Sequence, residues 1–151
     1  MAMMTQTKRV AVPAEVERLT EIAVDAAFVI HKELGPGLLE SAYEACFVRE
    51  LQLRGIKCEH QVEVPLRYKG VLIEVGYRAD VLVEGKLLIE LKAVDQLLPV
   101  HKAQLITYLK LLNLQLGLLI NFNEVLIKDG IRRVLNIHKQ INSKDGKTES
   151  Y

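Results

Sequence analysis

The spacing of apolar residues changes twice along this chain, and each change marks a new kind of element. Between residues 14 and 34, Val16, Leu19, Ile22, Ala23, Ala26, Ala27 and Ile30 recur every three or four positions, which predicts an amphipathic helix. Pro13 suits its first turn, and Gly35-Pro36-Gly37 stops it sharply. A second helix is expected over residues 38–54, with Leu39, Ala42, Tyr43, Cys46, Phe47 and Leu51 as its stripe and Gly55 as its end. The period then becomes two. Val62, Val64 and Leu66 alternate with Gln61, Glu63 and Arg67, as in a half-exposed strand. Lys69-Gly70 turns the chain into a strand over residues 71–75, which Gly76 breaks or bulges. Strands over 77–83 and 86–93 complete a meander. Pro99 opens a third helix, to about residue 114. Residues 117–122 read as an apolar strand covered on both faces. Residues 125–127, a turn at Lys128-Asp129-Gly130 and a strand over 131–137 close the fold as a hairpin.

The order is therefore α-α-β-β-β-α-β-β. A meander, a crossover helix and a returning strand predict an α/β fold, a mixed sheet flanked by helices. With no repeat and no low-complexity linker, residues 13–138 form one domain, between a loose arm (1–12) and a polar tail (139–151). The 151 residues suffice for one real core.

Composition narrows the class. Half the residues are hydrophobic, so the chain is globular. Twenty basic residues against 19 acidic ones leave a net charge of +1, so any basic surface must be local. Cys46 and Cys58 make no disulfide framework and no metal pair, and fit a reducing compartment. The N-terminus lacks an apolar signal core, and polar residues break the Leu-rich stretch 97–122, so no membrane span is expected and the location is read as cytoplasmic.

Charge interrupts the strands at three places: Asp80, Glu90 and Lys92. Burying unpaired charge is costly, so such groups usually bind something or one another. Glu90 and Lys92 are two apart and share a face. Asp80 joins that face only if the hairpin loop has odd length. A loop of Val83-Glu84-Gly85, a type I turn with Gly85 in the left-handed position, sets Asp80 diagonally across from Glu90. Ala79, Val81, Val83, Leu87, Ile89 and Leu91 make the opposite face apolar, suited to packing on a helix. Two converging carboxylates repel unless a cation separates them, and hard oxygen donors suit Mg²⁺ or Mn²⁺. Such an ion acidifies its water and stabilises a phosphorane-like transition state, with Lys92 placed to hold the attacking water or the phosphate. His31, His60, His101 and His138 are too scattered for zinc. Taken alone, Glu-x-Lys on a strand is more often a solvated face with a weak ion pair.

Two helical pairs could support the hairpin. Glu40 and Tyr43 lie at i, i+3, and Gln104 and Tyr108 at i, i+4, with His101 a turn earlier. The plainer account makes Glu40 a helix-dipole partner, Tyr43 a core residue, and Gln104 and Tyr108 a polar seam.

Gly37-Leu38-Leu39-Glu40-Ser41-Ala42-Tyr43 resembles the motif that names the GxxExxY proteins of the PD-(D/E)XK nuclease superfamily. The resemblance runs from the first helix to the last hairpin and implies a restriction-endonuclease-like core. It implies that Asp80 and Glu90 bind Mg²⁺, exchangeable with Mn²⁺, with the Leu91 carbonyl and Glu40 assisting. It implies catalytic roles for Glu40, Asp80, Glu90 and Lys92, and substrate contacts for Gln104, Tyr108 and Tyr43. Ala79 stands where the motif often has proline. The expected partner is nucleic acid, DNA ahead of RNA, gripped by a homodimer or with a partner protein. Two rivals remain. A non-catalytic binding module on a nuclease-like scaffold would not need Asp80 and Glu90 to hold an ion. An oligomeric scaffold with a structural ion-pair cluster would lose stability, not function, on Glu90→Gln.

Overall fold

The computed structural model describes residues 11–137. The expected tail (139–151) and the first ten residues of the expected arm lie outside that range. Of the arm, Val12 packs against the core and the Ala11 carbonyl accepts from Gln115 Nε2 at 3.0 Å.

Helix α1 (Ala14–Leu34) has the expected bounds and buries Val16, Leu19, Ala23, Ala26, Ala27 and Ile30. It ends at Gly35, whose φ of 68° few side chains tolerate and whose N–H donates to the His31 carbonyl at 2.7 Å. Helix α2 (Glu40–Leu53) starts two residues later than the stripe implies and buries Tyr43, Phe47 and Leu51, one residue per turn. The strands are β1 (Cys58–Glu63), β2 (Leu66–Tyr68), β3 (Val71–Ile73), β4 (Arg78–Val83) and β5 (Leu87–Lys92). Helix α3 (Pro99–Leu111), β6 (Leu116–Asn121) and β7 (Ile131–Leu135) follow. Five strands form one sheet in the order β1-β4-β5-β6-β7. β5 and β6 run parallel, joined through α3, and the other neighbours are antiparallel.

The sheet divides two cores. Val81, Val83, Leu87, Ile89, Leu91, Leu116, Leu118 and Ile120 pack under α1 and α2, as the alternation predicts. Leu88 and Leu119 pack with Leu105 and Leu109 of α3 on the other face, which Ala79 joins. Gly117 lets α3 come close: a Cβ there would lie 2.9 Å from Leu105 Cδ1 and 3.1 Å from the Leu88 carbonyl oxygen. The parallel β6 is buried at every residue, as a strand covered on both faces must be.

Three expectations need correction. The meander is not continuous: β1 pairs directly with β4, from Cys58↔Val83 to Glu63↔Arg78, while β2 and β3 leave the sheet as a separate hairpin. Their residues have strand character, but β1 already occupies the edge of β4, and Gly76 (φ 69°) turns the chain back into register. The β4–β5 loop is Glu84-Gly85-Lys86, closed by Lys86 N–H donating to the Val83 carbonyl at 3.0 Å. Glu84 (φ 48°) and Gly85 (φ 66°) are both left-handed, as a primed hairpin turn requires. Finally, residues 125–127 form no strand. A 3₁₀ turn (Ile127–Gly130) brings β7 back onto β6. The return is tight at Gly130, where a Cβ would lie 2.4 Å from the Asn121 carbonyl oxygen.

Candidate active site

The hairpin loop is odd in length, so Asp80 shares the face of Glu90. Its position differs from the diagonal one. The register Val81↔Ile89, Leu82↔Leu88 and Val83↔Leu87, carried one step further, sets Asp80 directly opposite Glu90. Strand pairing lapses there on both sides, since neither Gln61 of β1 nor Glu90 of β5 pairs with Asp80. Carboxylates take over the amides. Asp80 N–H donates to Glu90 Oε1 at 3.0 Å, and Leu91 N–H donates to Asp80 Oδ2 at 2.8 Å. Each acid thus accepts a backbone bond next to the other, which holds both side chains in one gap between strands.

The gap is dry. Glu90 is 4 % exposed. Burial first, and then the charge of Asp80, push its carboxyl from the ordinary 4.5 up to about 8. Asp80 is also held above its usual range, chiefly by burial and by the acids Glu44 and Glu40, against the opposing Leu91 amide and Lys92. Lys92, half-buried on the face of Glu90, favours the ionised form of both acids. Two carboxylates here do not both ionise without help from a cation.

Other elements frame this pair. Glu40 opens α2 at the C-terminal end of β5, where its Oε1 accepts from Ala93 N–H at 3.3 Å. Among the described residues, no three acidic, histidine or cysteine side chains converge as a ready metal cluster, and Glu40 acts on Asp80 through its charge alone. Tyr108 of α3 is 5 % exposed, and its hydroxyl accepts from Gln104 Nε2 at 3.1 Å. Burial, then the Glu90 charge, push the pKa of this hydroxyl up, and Tyr108 packs in the core that holds Leu88, on the face Glu90 shares. Gln104 is exposed on the same side. His101 serves the start of α3, its Nδ1 accepting from Leu98 N–H at 2.9 Å.

Tyr43 does not join the cleft. Its ring is fully buried and stacks on Phe122 at 4.4 Å. Its hydroxyl donates to the Gly35 carbonyl at 2.5 Å and accepts from Leu38 N–H at 3.2 Å. It therefore shapes the loop that delivers Glu40. A substrate contact would need surface that this residue lacks.

Sequence reasoning passed over Asn121 and Tyr77. Asn121 ends β6 beside Lys92 and is fully buried. Its Oδ1 accepts from Val94 N–H at 3.1 Å, and its Nδ2 donates to the Val94 carbonyl at 2.9 Å, clamping the exit of β5. One amide amid apolar neighbours was the available signal. Tyr77, 43 % exposed, tilts against Tyr108 at 6.1 Å between ring centroids. Nothing local distinguishes it from an ordinary strand tyrosine.

A sheet with a parallel central pair, helices on both faces and an acid–acid–lysine gap on the central strands describes a restriction-endonuclease-like fold. The chain belongs to the PD-(D/E)XK nuclease superfamily, whose family model matches residues 17–134. No curated protein and no solved structure matches it. Among the described residues, no helix is long and apolar enough to cross a membrane.

Proposed function

We propose that the protein hydrolyses phosphodiester bonds in nucleic acid, DNA in preference to RNA, with a divalent metal ion, Mg²⁺ or Mn²⁺. The observation that carries this reading is the opposition of half-buried Asp80 and buried Glu90 in a gap where the strand ladder opens. Two hard carboxylates whose ionisation is resisted by burial and by each other fit a cation with oxygen preference. Asp80, Glu90 and the Leu91 carbonyl would hold the ion, with Glu40 assisting, since Mg²⁺ keeps several waters and needs few protein donors. When bound, such an ion supplies Lewis acidity and a water of lowered pKa.

The chain's own residues do the rest. Asp80 and Glu90 are pre-positioned by backbone amides, so little reorganisation is needed to bind. Lys92 brings positive charge to the same face, where it holds the attacking water or the phosphate and offsets developing charge. Gln104 and Tyr108 present an amide and a hydroxyl to the phosphate backbone. Asn121 fixes the strand exit that carries Lys92.

Cleavage of a panel of duplex, single-stranded, nicked and branched DNA and of RNA, with Mg²⁺ or Mn²⁺, tests the reading. Wild type should cut at least one substrate. Lys92→Ala, folded and still metal-binding, should lose on the order of 10²–10³ in rate, the usual effect of removing one electrostatic stabiliser. Equal rates for the two proteins would refute the role of Lys92. Metal-independent nucleic-acid binding without cutting would favour a binding module.

A further inference from the structure

The β2–β3 hairpin lies outside the five-stranded sheet, and most of its side chains are exposed. Tyr68 is 63 % exposed, and Val71, Leu72, Ile73 and Val75 are exposed as well. An isolated two-stranded hairpin is at best marginally stable in water, so a hairpin with apolar side chains on both faces needs a partner. Its composition limits what that partner is. Residues 66–73 read Leu-Arg-Tyr-Lys-Gly-Val-Leu-Ile, whose only charged side chains, Arg67 and Lys69, are basic. Lys69 Nζ lies 5.4 Å over the ring of Tyr68 at the tip, a cation–aromatic pair open to solvent.

The arm also leads into the carboxylate gap. β3 is followed, past Gly76, by Tyr77, which tilts against Tyr108 beside Glu90. The chain has five tyrosines. Among the described residues, Tyr43 and Tyr108 are buried, while Tyr68 and Tyr77, both on this arm, are exposed. An extended segment from residue 71 to residue 77 reaches at most about 20 Å, at about 3.3 Å per residue. Exposed rings, Tyr68 between Arg67 and Lys69 and Tyr77 before Arg78, with one acid, Glu74, between them, run from a tip to a candidate phosphodiester site and match the stacking-platform chemistry of single-strand recognition.

We infer that the β2–β3 arm binds an unpaired stretch of nucleic acid next to the scissile phosphate, with Tyr77 and Tyr68 stacking on bases and Arg67 and Lys69 on the backbone. This rests on the nuclease reading for the position of the phosphate. The preferred substrate is therefore a duplex with a single-stranded tail or branch, in place of a blunt duplex.

The test is binding and cleavage of fluorescent blunt and single-strand-tailed duplexes by the full chain. Binding is measured on the wild-type chain in a metal chelator, so that no substrate is consumed. Tailed duplex should bind at least about tenfold tighter than blunt. Tyr68→Ala and Tyr77→Ala should each weaken tailed binding about five- to hundredfold, the range for loss of one base stack. Tyr68→Phe and Tyr77→Phe should retain it, which a folding defect would not allow. Arg67→Ala with Lys69→Ala should flatten the salt dependence by about two contacts. Cleavage that is indifferent to the two tyrosines would overturn the arm and leave the nuclease reading standing. Tail-dependent binding through the tyrosines with no cleavage under any metal would do the reverse. If the tyrosine changes instead convert a dimer to monomers without altering affinity per protomer, the arm's partner is a second copy and the inference fails.

Discussion

Replacing Glu90 by Gln removes one charge from the gap between β4 and β5 and leaves its shape almost unchanged. Burial and the Asp80 charge hold the Glu90 carboxyl at about 8 in the metal-free fold, against an ordinary 4.5. The folded protein therefore keeps a proton that the unfolded chain releases near its ordinary value. The stability tied to that proton is fully present below the unfolded value and is lost as pH rises through the folded one. At about 1.36 kcal/mol per unit the whole interval is worth up to about 5 kcal/mol. Asp80 titrates with Glu90, so the pair shares this amount. Gln carries no such penalty. Its oxygen can still accept from Asp80 N–H, and its amide can donate to the Asp80 carboxylate. In chelator, Glu90→Gln should melt near wild type at about pH 4.5 and increasingly above it toward about pH 9, by roughly 2–4 °C per kcal/mol for a domain of this size. Adding Mg²⁺ should reverse the order. Wild type gains about 2.7 kcal/mol at a hundredfold excess over Kd, while the variant, short of one ligand, gains less. A variant less stable than wild type at alkaline pH in chelator would refute the reasoning. It would mean that ionised Glu90 is held by a stabilising partner, as the structural ion-pair reading requires.

Two further changes probe how the site is positioned. Tyr43→Phe keeps the ring on Phe122 but removes the hydroxyl between the Gly35 carbonyl and Leu38 N–H. Urea melts should show a loss of about 0.5–1.5 kcal/mol and faster exchange at the Leu38 amide, and unchanged exchange there would refute its role in the loop before Glu40. Gly117→Ala forces a methyl to within 2.9 Å of Leu105 Cδ1. Thermal melts should register a loss of about 1–3 kcal/mol, with slower cleavage as α3 moves Gln104 and Tyr108, whereas wild-type behaviour in both would show that α3 has slack.

Much of this architecture is set by local chemistry. The 3.6-residue stripe of α1, its stop at Gly35-Pro36-Gly37, and the alternation that turns Val81, Val83, Ile89 and Leu91 toward the helices are all properties of neighbouring residues, and they read directly from the chain. So does the odd parity of the loop that brings Asp80 and Glu90 to one face. Partner choice is a different matter, because strand propensity reports that a segment extends and carries no record of what it pairs with. Hence residues 66–73 read as sheet yet leave it, and residues 125–127 read as strand yet form a turn. The same limit hid the directly opposed carboxylates, the Asn121 clamp and the stacking of Tyr43 on Phe122, each of which depends on residues at least ten positions away. The sequence alone determined which groups could do chemistry and which face they share. The tertiary structure decided how dry the gap is, which acids meet there and which stay outside, because burial and register are set by the whole packed sheet and by no single segment.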